Sequence, residues 1–217
     1  AYYWDQDGGP CLEHYDRAIA AYRLAGDVRG LAQALTRKVE PSYTVASVPF
    51  GTLQDLQPLE EMLASLGESE PGLRGQMAAV MAEAYRNARQ TAKAQAMAGR
   101  ALEIGQRLQD DALCAQALCA LALVHIQGLR VEPALESWRN ALEHARRAGD
   151  LILEGWPLQR MPLALTIQGR LEEAASVAQE ACNVSRQTQH WGGHSVALSH
   201  LASVATARGD FEATARY

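Results

Sequence analysis

The sequence predicts an all-α protein built of stacked antiparallel helix pairs, an α-solenoid, and three observations carry that prediction. Small residues recur at a period of about 40: Ala94, Ala134 and Ala174 form one column, and Ala101, Ala141 and Ala181 a second. Gly105, Ala145 and Ser185 make a third column, four residues further on. Apolar residues recur at three- and four-residue spacing, with no sustained period-2 alternation that would mark a sheet. The ending Ala-Gly-Asp is written twice, in AIAAYRLAGD (18–27) and ALEHARRAGD (141–150). A period of roughly 20–50 residues is the signature of units that bury their apolar faces only against each other.

Each unit holds two helical patterns. In one of them Ala134, Leu135, Trp138, Ala141, Leu142, Ala145 and Ala148 form an apolar stripe, while Glu136, Arg139, Glu143, Arg146 and Arg147 occupy the other face. Ala-Gly-Asp then has a mechanical meaning. Gly26 and Gly149 can adopt the left-handed conformation that closes a helix, and Asp27 and Asp150 can accept hydrogen bonds from the free N–H groups of the next. The pattern predicts helices over 10–25, 27–39, 53–66, 73–87, 90–108, 111–127, 131–148, 151–168, 171–188, 194–207 and from 210 onward. The stretch EPSYTVASVPFGT (40–52) reads as a longer or irregular loop, and ESEPG (68–72) as a second break. The turns IQGLRVEPA (126–134) and IQGRLEEA (167–174) match after one inserted residue, with ARGDFEAT (207–214) following. Pro157 and Pro162 in EGWPLQRMP (154–162) fall where a first helix is due. The expectation is a shortened, kinked helix there, which either widens a groove beside Trp156 or is simply tolerated.

These columns resemble the tetratricopeptide-repeat (TPR) family of helical hairpins. Gly169, Ala174 and Ala181 keep its small-residue spacing, and Gly209, Asp210 and Phe211 resemble its Gly-Asp-aromatic turn. Leu198, Leu201, Ala202 and Ala205 resemble its first-helix core positions. Met77, Ala117, Leu158 and Leu198 replace the family's usual first-helix Trp, and Gln106, Arg146 and Arg186 stand near the place of its terminal Pro. The period of about 40 exceeds the roughly 34 of the short form. Longer hairpins of this kind resemble the helical regions of large bacterial signalling ATPases, nucleotide cyclases and LuxR-type transcription activators. HEAT-like arrays share the period but account less well for the Gly/Ala turn columns.

The resemblance implies a single TPR-like repeat domain over 1–217, wound as a right-handed superhelix. Its irregular N-terminal units would occupy 10–66, and regular units about 73–108, 111–148, 150–188 and 194–217. The chain reads as a portion of a longer protein. It also implies a concave wall lined by first helices. With the one-residue insertion, one inner column holds Tyr85, His125, Thr166 and Thr206, and a second holds Ala78, Leu118, Gln159 and Ser199. A third holds Gly75, Ala115, Trp156 and Val196, flanked by Arg160 and His200. The expected groove is more small and polar than basic, and its candidate binding residues are Tyr85, His125, Trp156, Gln159, Arg160, Ser199 and His200. Tyr85 and Trp156 would equally serve to fill gaps between repeats.

Composition narrows the function. The 217 residues carry a net charge of −5, which gives no general attraction to nucleic acid or anionic membrane. No apolar run reaches the roughly 18 residues of a membrane span, and no secretory leader is visible, so a cytoplasmic location is expected. Cys11, Cys114, Cys119 and Cys182 form no C-x-x-C pair and read as small apolar groups. No phosphate loop, G-x-S-x-G or H-E-x-x-H motif occurs, GESEPGLR (67–74) lacking the lysine and hydroxyl such a loop needs. His190 and His194 share i,i+4 spacing, but Gly192 and Gly193 argue against a helix there and no carboxylate accompanies them. The expectation is therefore no metal, no cofactor and no catalysis. The function expected is a protein- or peptide-binding scaffold, whose partner could be another domain of the same chain, with a homodimer also plausible through uncovered solenoid ends. The alternative is a small-ligand sensor that regulates an attached ATPase, cyclase or transcription activator.

Overall fold

The computed structural model describes residues 9–39, 53–67 and 69–217. Among them the chain runs α1 (Gly9–Ala25), α2 (Val28–Val39), α3 (Leu53–Ser65), α4 (Pro71–Asn87), α5 (Thr91–Leu108), α6 (Asp111–Gln127), α7 (Val131–Ala148), α8 (Leu151–Ile167), α9 (Leu171–Gln187), α10 (Trp191–Ala207) and α11 (Phe211–Arg216). No strand occurs among the described residues. The loop expected at 40–52 and the side chain of Cys11 lie outside them. Contacts divide the chain into two compact units, Ala1–Gln109 and Asp110–Tyr217.

In the first unit α2 packs on α1, α3 and α4, and α4 packs on α3 and α5. Leu56 and Leu59 of α3 and Met77 and Met81 of α4 are its largest fully buried side chains. In the second unit each helix packs on the next from α6 to α11, and α8 also touches α6 and α10. The first helices α6, α8 and α10 therefore form one layer, with α7 and α9 behind. Leu113, Val124, Leu135, Leu158, Leu165 and Val204 fill the space between layers.

The small columns sit where close approach requires them. Ala94, Ala134 and Ala174, and Ala101, Ala141 and Ala181, are all fully buried. A longer side chain there would force its neighbours apart, at a cost of about 1–3 kcal/mol for each overpacked position. Ala145 and Ser185 of the third column are buried too, but the Ser185 hydroxyl has no hydrogen-bond partner.

From α4 onward first helices begin at Pro71, Asp111, Leu151 and Trp191, and second helices at Thr91, Val131, Leu171 and Phe211. The 40-residue step is thus kept with no insertion. A left-handed residue recurs in every connecting turn: Arg89, Gln109, Leu129, Gly149, Gly169, Gln189 and Gly209 all have positive φ. The inserted residue expected between the turns at 126–134 and 167–174 is absent. Leu129, not Gly128, stands in the column of Gly169, with φ 56 against 74.

Ala-Gly-Asp works as expected at both places. Gly26 and Gly149 both have φ 67. Asp27 accepts from Gly30 N at 2.8 Å, and Asp150 accepts from Ile152 N at 2.9 Å and Leu153 N at 3.1 Å. The break at 68–72 is also present: Gly67 and Glu70 have positive φ, and Pro71 opens α4 at its first turn.

Two expectations about helix limits are corrected. α8 is not shortened but runs from Leu151 through both prolines, close to the 151–168 of the apolar pattern. Pro157 and Pro162 are both fully buried, so the packing of their rings offsets the backbone bonds they remove. α10 begins at Trp191, with Gly192 and Gly193 inside its first turn. A side chain at buried Gly193 would meet Gln159 Nε2 at 2.5 Å and His190 Nδ1 at 2.7 Å, so the glycine serves close helix approach.

Candidate functional site

The gapless register re-sorts the residues that the sequence grouped together. Tyr85 belongs to the first unit and is 3% exposed, its hydroxyl hydrogen-bonded to Glu60 of α3. Lys93 of α5 lies 5.0 Å from the centre of its ring and 3.5 Å from the Glu60 carboxylate. Tyr85 therefore ties three helices together. The corresponding positions on later first helices are His125, Leu165 and Ala205, of which Leu165 and Ala205 are buried. His125 is half-buried, its Nδ1 has no partner, and desolvation with help from the Arg130 charge lowers its pKa. Thr166, expected beside it, is one step further round, its hydroxyl bonded to Pro162 O at 2.8 Å.

The remaining candidates gather on α8 and α10 in the second unit. Trp156 is half-buried and packs against Ala115, Ala145 and Leu153, which anchors its ring between α6 and α8. One turn on, Arg160 is exposed, and its guanidinium makes no hydrogen bond or ion pair among the described residues. Gln159 is half-buried, with its amide lying against the backbone of Gly193. Ser199 of α10 is exposed.

His200 bridges the two helices, its Nε2 lying 3.1 Å from the carbonyl oxygen of Gln159. A carbonyl only accepts, so Nε2 carries the proton and donates it. Burial lowers the His200 pKa most; the carbonyl bond raises it, and Arg160 lowers it again. His200 is thus a neutral strut as much as a contact residue.

Side chains the sequence reading did not single out make this surface distinctive. On α8, Ile152 is 56% exposed, Leu163 55% and Ile167 70%. With Trp156 and Arg160 they lie at four-, four-, three- and four-residue steps, one continuous stripe along the helix. Val196 of α10 extends it sideways, at the position that matches Trp156. Gln116 and Leu123 of α6, at the positions of Trp156 and Leu163, are half-buried.

The charges lie elsewhere. Arg139 pairs with Glu132 at 3.6 Å and Glu173 at 3.0 Å, Arg146 with Glu154 at 3.7 Å and also with Glu180, and Arg147 with Asp111 at 3.0 Å. These pairs run along α7, α9 and the helix ends. Acidic and basic groups are mutually satisfied there, while the first-helix stripe is apolar around a single uncompensated cation. The groove is accordingly more apolar than the sequence led one to expect.

Among the described residues no group of three or more His, Cys, Asp or Glu is placed to hold a metal ion. His190 precedes α10 and His194 lies inside it, where its ring meets Trp191 edge-on at 6.3 Å. Cys114, Cys119 and Cys182 are buried and form no disulfide among the described residues, and desolvation raises the pKa of Cys114 and Cys182. No helix among the described residues is long and apolar enough to cross a membrane.

No family model matches the chain, and no curated protein matches it. Solved structures do. BtubC (BKLC) from P. vanneervenii superposes with a TM-score of 0.75 at 18% identity, covering 94% of this chain and 85% of that one. Aspartyl phosphate phosphatase F from Bacillus subtilis gives 0.68 at 16% identity, over 89% of this chain and 51% of that one. A putative kinesin light chain from Podosopora anserina, with nearly identical TPR-like repeats, gives 0.60 at 14%, over 95% and 91%. At these identities the likeness establishes the fold: this is a TPR-like helical-repeat solenoid.

Proposed function

We propose that the chain is a non-catalytic protein-interaction scaffold, and that the α6/α8/α10 layer of its second unit is the working surface. The observation that carries this reading is the exposed stripe Ile152, Trp156, Arg160, Leu163 and Ile167. Large aliphatic side chains left more than half exposed in one row contribute little to folding, and covering them with a partner is favourable by about 25 cal/mol for each Å2 buried. A wall built of parallel helix ridges suits an amphipathic helix or an extended segment laid along it. Trp156, anchored on one face and open on the other, has the character of a binding hot spot. Arg160 fixes direction by pairing with an acidic residue of the partner.

A peptide-display selection against the purified chain tests this. The account expects enrichment of apolar segments carrying at least one Asp or Glu, with binding lost in Leu163→Asp and Trp156→Ala. Enriched peptides indifferent to both substitutions, or no enrichment at all, would overturn it.

A further inference from the structure

The helix beside the α8 stripe narrows what can cover it. α10 packs against α8, and the 40-residue step sets Gly192, Ser203 and Ala207 in the places of Ile152, Leu163 and Ile167. All three small residues are exposed. The surface is therefore stepped, a tall apolar ridge on α8 beside a low floor on α10. Small side chains let a further helix come close, because the separation of packed helix axes, roughly 8–10 Å, follows the size of the residues between them. The floor is also uncharged, since α10 contains no Asp, Glu, Lys or Arg.

Hydrogen bonding decides which backbone can lie there. Toward both ends of the surface the hydroxyl protons are already used within their own helices. Thr166 donates to Pro162 O at 2.8 Å and Ser195 to Trp191 O at 3.1 Å. Ser203 donates to Ser199 O at 2.8 Å and Thr206 to Ala202 O at 2.9 Å. Arg160 and Ser199, which keep free donors, both lie at mid-length of their helices. An extended segment along the ridge would have its outer carbonyls partly covered with no donor to meet them, which is unfavourable. A helix satisfies its backbone internally and offers only side chains. From Ile152 to Ile167 the ridge is about 22 Å long, the length of a helix of about 15 residues.

We propose that the occupant of this surface is an amphipathic α-helix of a partner protein, seated on the α10 floor against the α8 ridge. Its central Asp or Glu faces Arg160, and apolar residues stand three or four and seven or eight positions to either side. This rests on the scaffold reading and chooses between the two kinds of segment that reading allows.

The test pans the full chain against two peptide-display libraries of about 16 residues and equal composition, one patterned at helical spacing and one alternating. Enrichment is expected from the helical library alone, in clones with a central acid. Proline at a solvent-facing central position of an enriched peptide is expected to weaken binding at least about tenfold. Circular dichroism of the complex, less its parts, is expected to show added helix, because so short a helix is marginal when free. On the protein side, Ser203→Tyr at its exposed position raises the floor and is expected to weaken binding at least about tenfold, while Ser203→Ala leaves it unchanged. Enrichment from the alternating library, lost in Leu163→Asp but indifferent to proline and to Ser203→Tyr, would overturn the helix and leave the scaffold standing. A helical peptide lost in Leu163→Asp but indifferent to Ser203→Tyr would overturn its seating on α10. No enrichment from either library, or binding indifferent to both Leu163→Asp and Trp156→Ala, would overturn the scaffold reading as well.

Discussion

Leu129 gives the sharpest test of how the repeat is built. It occupies the left-handed position of its turn at φ 56, with its side chain 88% exposed. The side chain therefore contributes almost no packing, while a left-handed backbone costs a residue with a Cβ roughly 1–2 kcal/mol. Glycine removes that strain but adds about 0.4–1 kcal/mol of unfolded-chain entropy. Leu129→Gly is expected to stabilise the protein by about 0.5–1 kcal/mol, the difference between those terms. Gly169→Ala is the reciprocal change: φ is 74 and nothing lies within 4 Å of the added Cβ, so the loss of about 1 kcal/mol is pure backbone strain. Gly128→Ala is the control, because its φ is −87 and the added Cβ meets only ordinary contacts at 3.5 Å. It is expected to be neutral or slightly stabilising. Urea unfolding of the three variants, with unchanged slopes, reads the order directly. An alignment with one inserted residue would pair Gly128 with Gly169 and reverse the outcome. Destabilisation by Gly128→Ala with no gain from Leu129→Gly would refute the gapless register.

Two further predictions concern burial. Ser185→Ala is expected to raise stability by about 1 kcal/mol in the same unfolding assay, because the hydroxyl is buried without a partner in a column where Ala145 already fits; a loss would show that the hydroxyl is satisfied. Stability is also expected to fall in acid in two stages. Desolvation lowers the pKa of His125, His190 and His200 below the usual 6.5, so their contribution is complete above that value and is lost as pH falls from it toward the folded pKa. For Asp111 and Glu132, hydrogen bonds from His144 and Gln168 are the largest cause of a lowered pKa. For Glu173 burial is the largest influence and acts upward, but bonds from Arg139 and Arg170 together win. These carboxylates contribute fully above their ordinary pKa, and that contribution is lost at lower pH. His200→Gln is expected to flatten the first stage by up to one proton in unfolding curves taken between about pH 5.5 and 7.5; an unchanged slope would contradict its neutral, buried state.

Much of this architecture is legible in the sequence, because it rests on small residues that recur where helices touch. The columns at Ala94 and Ala101, the caps at Asp27 and Asp150, and the limits of α6 and α7 all follow from residue type and spacing. What is not legible has physical reasons. The left-handed turn is a backbone property, and in four turns Arg89, Gln109, Leu129 and Gln189 adopt it where a glycine would have announced it. Pairing glycine with glycine shifts the register by one residue through α8 and α10, which sets Thr166 beside His125 and hides the row of Ile152, Leu163 and Ile167. α8 is also apolar on nearly every side, so periodicity alone does not distinguish its buried face from its exposed one. Gln159, Arg160 and His200 lie close to one another across α8 and α10, whereas Tyr85 lies in the first unit.

The central claim, that the α8 stripe is a recognition surface with Arg160 as its directional element, is tested most directly by a double-mutant cycle. A peptide selected on the purified chain would be titrated against wild type and Arg160→Glu, with its acidic residue intact or changed to Lys. The account predicts that each single change weakens binding and that the pair together restores it, a coupling of about 1–3 kcal/mol. Additive losses with no rescue would place the peptide elsewhere and contradict the claim.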